Sequence, residues 1–199
     1  LDRLLHSLRD AAEVDGSGVD DAVLARPHEA TTLLSVALMV ATGLRVSEVV
    51  GVRHRDLDLP GRGLRVVGKG SRERQVFLTN DWIAEFAAAY ITTRSALNVD
   101  HDRLLFNRKG APLSAAAMRS RLSAAGTAAG TRHRVTPHML RHTAATQLIE
   151  AGVDIRYVQR LLGHVSLSTT ELYTHVSDHA LKRIVSGADV LGRSFARDN

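Results

Sequence analysis

The chain has 199 residues, 44% of them hydrophobic and 24% charged, enough for one globular domain with a sizeable core. Its formal net charge of +5 favours a polyanionic partner without establishing one. It has no Cys, which excludes a disulfide scaffold, a Cys nucleophile and a thiolate metal site. The longest apolar run, Leu33 to Leu44, is broken by Ser35, Thr42 and Gly43 and is too short to span a bilayer, so a cytoplasmic protein is expected.

Apolar residues at positions 1, 4, 5 and 8 have helical spacing, and the Gly-rich stretch Asp15–Asp20 reads as a loop. Pro27 opens a helix that runs to about Ala41 and stops at Gly43, and Val46–Val52 forms a second, short one. The pattern then changes to alternation at Asp56–Leu59, followed by strand-like runs at Leu64–Val67 and Gln75–Leu78. The turn signal Gly68-Lys-Gly-Ser71 between those runs predicts an antiparallel hairpin with Lys69 near its tip.

The rest reads as helical. Asn80 caps a helix through Tyr90, Ser114 one to about Ala125, and Thr136, followed by Pro137, one ending near Gly152. Asp154 caps Ile155–Leu162, which Gly163 stops. Ser168 caps a short helix carrying Tyr173, and a last helix spans about Asp178–Ala188. The fold class is therefore mainly α with a small antiparallel β-sheet (α+β).

Several residues suggest chemistry. His138 and Arg141 are three apart on one helix and share a face, with His138 in the first turn, where free N–H groups and the helix dipole favour an anion. Arg141 adds a planar fork matched to two phosphate oxygens. Arg45 sits in the turn after Gly43, with Glu48 three residues on to orient it. His164 follows a helix stop, and Tyr173 comes soon after. Taken singly, each has a plain structural explanation: a capping residue, a surface His, a half-buried Tyr. Lys69, Lys109 and Lys182 are the only lysines in an Arg-dominated chain, so a Lys between two glycines points to a task that needs an ammonium.

In order, Thr42-Gly-Leu-Arg-Val-Ser-Glu48, Gly68-Lys-Gly-Ser-Arg-Glu-Arg74, His138-Met-Leu-Arg-His142 and Leu162-Gly-His-Val-Ser-Leu-Ser-Thr-Thr-Glu-Leu-Tyr-Thr-His-Val176 resemble the signature boxes of the tyrosine recombinases, the phage integrase family, and look particularly like their Xer-type members. The likeness runs from about Pro27 to about His179. It implies the integrase catalytic-domain fold over 27–199, with a C-terminal exchange helix at about 178–188. Residues 1–26 would be a helix and linker leading in from an upstream DNA-binding domain. It also implies site-specific DNA strand cleavage and rejoining through a 3′-phosphotyrosyl intermediate, for recombination or integration.

By the resemblance, Arg45 and Arg141 bind the scissile phosphate, Lys69 is the mobile hairpin lysine, His138 and His164 are further catalytic positions, and Tyr173 is the nucleophile. Glu48 and His142 are supporting residues. A lysine can protonate the leaving 5′ oxygen, whereas a guanidinium effectively cannot. Arg72 stands where many relatives carry another Lys. No metal, cofactor or ATP is expected. Arg72, Arg74, Arg119, Arg121, Arg132 and Arg134 are expected to contact double-stranded DNA, with the protein nucleoid-associated and forming a homo- or hetero-tetramer on paired sites. Three other readings stay open. His138 and His142, and His175 and His179, have the four-residue spacing of zinc ligands, although neither pair encloses the Glu of a His-Glu-x-x-His motif. A non-catalytic DNA-binding relative would use the helix–turn–helix look of Asp154–Tyr173. A type IB topoisomerase would share the same site residues.

Overall fold

The computed structural model describes residues 1–13, 23, 25–68, 70, 73–163, 178–188 and 192, with side chains described from 181 onward in the last helix. Helix α2 (Pro27–Thr42) is its axis. Pro27 sits at the first helical position, and every residue from Ala30 to Thr42 is buried. A helix buried all round must satisfy its polar side chains locally. Thr31, Thr32, Ser35 and Thr42 do so by donating to the carbonyls four residues back, at 2.5–3.1 Å. Helix α1 (Asp2–Ala11) inserts Leu4, Leu5 and Leu8 into the same core and packs on α2, so residues 2–11 are part of the folded body.

Gly43 ends α2 in the left-handed region, at φ +65°, and Arg45 precedes the short helix α3 (Val46–Gly51). A Cβ at Gly43 would run into the Leu162 side chain. Gly43→Ala is therefore expected to lower the unfolding free energy by about 2–3 kcal/mol, from the left-handed backbone and the displaced Leu162 together. Urea denaturation would check this, and a near-neutral result would mean the α2–α3 corner is not held as described.

A single 3-10 turn at His54–Asp56 leads into a three-stranded antiparallel sheet: β1 (Leu57–Asp58), β2 (Gly63–Val67) and β3 (Glu73–Phe77), in that order. Val66 pairs with Arg74 and Leu64 with Val76, so these four share the inner face of the hairpin, and both valines and Leu64 are buried. The hairpin expected from the turn signal is present, but Lys69 at its expected tip lies outside the described residues.

Helix α4 (Asp81–Ala96) runs six residues past the predicted end at Tyr90. The extension is polar in sequence but becomes buried: Thr93 and Arg94 are 4% and 7% exposed. Arg94 donates to the carbonyls of Arg103 and His101, which the local pattern could not anticipate. Helix α5 (Ala115–Ala128) and helix α6 (Pro137–Glu150) start on real side-chain caps, Ser114 accepting from Ala117 N and Thr136 from Met139 N. Helix α7 (Ile155–Leu162) is capped by Asp154 and ended by Gly163 at φ +67°. Helix α8 (Asp178–Ala188) folds back on its own domain, against β3 and α6. Its Leu181 and Val185 are buried, and Lys182 donates to the Gly61 carbonyl at 2.6 Å. The predicted loop at Asp15–Asp20 and the short helix after Ser168 lie outside the described residues.

Candidate active site

Buried residues on α6 recur at 141, 144 and 148, one stripe of the helix, which carries Arg141 inward with the apolar residues. A buried guanidinium needs acceptors, and two helix ends supply them. Arg141 donates from Nη1 to the Gly43 carbonyl at 2.6 Å and from Nη2 to the Leu162 carbonyl at 2.7 Å. Both acceptors belong to the C-terminal ends of helices, where carbonyls lack partners within the helix and the dipole is negative. Two of the five guanidinium donors are thereby fixed, and among the described residues no acceptor takes the other three. Burial first, then the positive charge of Arg45, pull the Arg141 guanidinium down to about 10, so it stays charged at neutral pH.

Arg45 approaches the same carbonyl, with Nη1 3.5 Å from the Leu162 oxygen, and its side chain is 44% exposed. Glu48 fixes it twice, accepting from the Arg45 backbone N at 2.8 Å and from Nη1 at 3.2 Å. Arg74 grips the other side of Glu48 with both terminal nitrogens, at 2.8 and 3.0 Å, and donates from Nε to the Leu161 carbonyl at 2.9 Å. Burial pushes the Glu48 carboxyl up. The Arg74 bonds, the Arg45 backbone bond and both positive charges outweigh this and hold it below the usual carboxylate range.

An open pocket of about 380 Å³ lies against this cluster, lined by Arg45, Arg119, Arg134, Val135, Thr136, His138 and Arg141 among others. His138 is exposed in the first turn of α6, between Pro137, which has no N–H, and Met139, whose N–H is taken by the Thr136 cap. Three guanidinium groups face one carboxylate, so the cluster carries net positive charge next to a cavity. Such a place binds a tetrahedral oxyanion and stabilises charge that grows on it.

The sequence-derived residues divide clearly. Arg45, Glu48, His138 and Arg141 come together. Lys69, Arg72, His164 and Tyr173 lie outside the described residues. His142 is exposed and does not line the pocket. Of the arginines expected on DNA, Arg119 and Arg134 are exposed at the pocket, and Arg134 is steadied by the Ser123 hydroxyl at 3.1 Å. Arg132 is exposed on the connection between α5 and α6.

Two of that set turn inward. The Arg74 guanidinium is committed to Glu48 and Leu161, with its side chain only 16% exposed, because strand alternation puts it on the inner face with Val76. Arg121 is half-buried toward α2, 3.5 Å from the His28 carbonyl, and not at the pocket. The carbonyl acceptors at Gly43, Leu161 and Leu162 were not foreseen; the helix stops at Gly43 and Gly163 were the available signal. Among the described residues, no three of His, Asp and Glu gather closely enough to hold a metal ion; His175 lies outside them, and the side chain of His179 is not described. Among them, too, no helix is long and apolar enough to cross a membrane.

Comparison with known proteins agrees with this geometry. The sequence model of the phage integrase family matches residues 17–180. Tyrosine recombinase XerC of Staphylococcus saprophyticus subsp. saprophyticus is 38% identical over 152 residues, which cover 76% of this chain and 51% of that protein. Tyrosine recombinase XerC of Staphylococcus carnosus is 37% identical over 186 residues, covering 92% and 59%. The crystal structure of XerA recombinase superposes with a TM-score of 0.67 at 28% identity, covering 85% of this chain and 62% of that one. XerH recombinase bound to its difH substrate gives 0.65 at 29% identity, covering 92% and 51%. The chain spans about half the length of the curated relatives it matches. A match over most of its residues, with the same fold beneath it, makes this chain a member of the phage integrase family, the tyrosine recombinases.

Proposed function

We propose that this chain cleaves and rejoins double-stranded DNA at specific sites through a covalent 3′-phosphotyrosyl intermediate. The observation that carries the reading is the meeting of Arg45 and Arg141 at the Leu162 carbonyl, beside an open pocket and at the end of the helix that leads to His164 and Tyr173. In this reading the pocket receives the scissile phosphate, with the free donors of the two arginines on its non-bridging oxygens. The Tyr173 Oη gives its proton to His138 and attacks phosphorus, the P–O bond to the 5′ oxygen breaks, and Lys69 supplies the proton that oxygen takes up. His138 and His164 contribute hydrogen bonds or proton transfer around the phosphate, and Glu48 holds Arg45 in place. The phosphotyrosyl bond conserves the energy of the phosphodiester, so the reverse attack by a 5′ hydroxyl reseals the strand without ATP.

Arg119 and Arg134 extend the positive surface beyond the pocket and are assigned to neighbouring phosphates, with exposed Arg132 and the hairpin Arg72. Strand exchange between two duplexes requires one protomer for each strand cut. A tetramer on paired sites, with α8 released from its own domain to a neighbour, fits that count. A cytoplasmic, nucleoid-associated location follows from the substrate.

The test is a trapping assay. A pool of nicked duplexes with a randomised core is incubated with the chain at low salt in the presence of a chelator, then denatured. We expect a protein–DNA adduct that survives denaturation, leaves a nucleotide on Tyr173 in the digested protein and declines steeply with added salt. No adduct under these conditions would overturn the reading. Cleavage that leaves no adduct and requires a divalent metal would favour hydrolytic metal chemistry instead.

A further inference from the structure

We infer that Arg74 is a positioning residue of the active site: its guanidinium ties β3, α3 and the end of α7 together and thereby sets where Arg45 can hold a phosphate. The inference rests on the proposed cleavage chemistry. It assigns Arg74 a role other than the DNA contact suggested by its position in a basic hairpin.

The fork joins three distant segments with three bonds. Both terminal nitrogens go to the Glu48 carboxylate, and Nε goes to the Leu161 carbonyl, 87 residues away in sequence. Glu48 in turn holds Arg45 through a backbone and a side-chain bond. The next carbonyl of the same helix end, Leu162, takes Arg141 and faces Arg45. Arg74 therefore touches both supports of the pair, the carboxylate behind Arg45 and the helix end beneath Arg141. Gly163 packs directly over it: a Cβ there would lie 3.3–3.5 Å from the guanidinium, and the φ of +67° already disfavours any other residue.

Planar geometry explains why Arg serves here. Only a fork with separate Nε and Nη donors reaches a bidentate carboxylate and a carbonyl at once. An ammonium supplies charge but no fixed directions. Glu48 is 6% exposed and the Arg74 side chain 16%, so removing the guanidinium leaves a buried carboxylate with Arg45 as its remaining ion-pair partner. That carboxylate then draws Arg45 towards itself and away from the pocket. Arg74 also stands two residues beyond the connection 68–72 that carries Lys69, so the same anchor lies near the base of that connection.

The experiment measures single-turnover adduct formation on a duplex recovered from the trapping pool, comparing the wild-type chain with Arg74→Met, Arg74→Lys and Glu48→Gln. Rate constant, final amplitude and half-saturating DNA concentration are fitted separately, and folding is checked by thermal melting. For Arg74→Met we expect the rate constant at saturating DNA to fall on the order of 10- to 100-fold. The half-saturating DNA concentration and the salt slope should change little. Arg74→Lys should fall less. Arg74→Met placed in a Glu48→Gln background should cost much less than it does alone, because the route through Glu48 is already cut.

A purely structural role would lower melting temperature and amplitude while the folded fraction kept its rate, and this would overturn the inference. A phosphate contact would raise the half-saturating concentration and flatten the salt slope at an unchanged saturated rate, and this too would overturn it. Should Arg74→Met not fold, Arg74→Lys decides by the same three quantities. A wild-type chain that forms no adduct would remove the cleavage reading itself, and the inference with it.

Discussion

Tyr173→Phe is expected to abolish the covalent adduct while leaving DNA affinity within about twofold of wild type. The substitution removes one oxygen and keeps the ring, so any packing of the aromatic body survives. What disappears is the oxygen assigned to the phosphotyrosyl bond; of the other two tyrosines Tyr90 is buried, and no Cys is present to substitute. A free Tyr has a pKa of about 10 and is a poor nucleophile at neutral pH. The positive cluster of Arg45, Arg74 and Arg141 would stabilise a phenolate brought near it. Tyr173 lies ten positions after Gly163 in sequence, and an extended segment of that length would span up to about 35 Å. The measurement is a denaturing gel of trapped complexes beside a gel-shift titration. An adduct persisting in the Phe variant would mean that another side chain attacks phosphorus, and the assignment of the last motif would be wrong.

The second large effect is expected at Arg141. Arg141→Lys should slow cleavage by roughly 10²–10³-fold, equivalent to about 3–4 kcal/mol of lost transition-state stabilisation. Charge is conserved in this variant, so the loss isolates geometry. The wild-type guanidinium bridges the carbonyls of Gly43 and Leu162 and still has donors left for two phosphate oxygens. A lysine can satisfy one carbonyl or reach the phosphate, not both in fixed directions. It also leaves a buried carbonyl without its partner, so a stability loss of about 1–3 kcal/mol should accompany the slower rate. The two effects separate in one experiment: a saturated single-turnover rate reports the site, and a urea titration reports the fold. A Lys variant that cleaved at the wild-type rate would show that Arg141 holds helix ends together and does not touch the reacting phosphate.

These expectations rest on unequal footing in the sequence, and the reason is physical. Helix starts and stops were readable because they depend on one or two residues. Thr136 followed by Pro137, Ser114 and Asp154 all cap the helices they were expected to cap, and Gly43 and Gly163 both take up positive φ where their helices end. The hairpin followed from alternation and a Gly-rich turn, while its register, with Val67 opposite Glu73, came from the structure. The shared face of His138 and Arg141 followed from a spacing of three. The likeness to the recombinases came from the order of motifs, a property of the chain and not of its packing.

Donor–acceptor partnerships across the molecule had no such local signal. Arg141 and the Gly43 carbonyl lie 98 residues apart, and Arg74 and Leu161 lie 87 apart. Any exposed arginine has the same composition as one spent on a buried carboxylate, which is why Arg74 and Arg121 were grouped with the DNA-facing residues. The structure starts β3 at Glu73, which puts Arg74 on the inner face with Val76, and which acceptor waited there depended on how α3 and α7 pack on the sheet. The polar end of α4 stayed helical for a related reason, because Arg94 found carbonyls in a later segment. The sequence by itself thus determined most of the elements and several helix caps, and it nominated the reactive side chains, since propensities, caps and spacing act over a few residues. Only the tertiary structure decided which arginines face a ligand and which brace the site, because a buried charge goes where packing leaves it an unpaired acceptor.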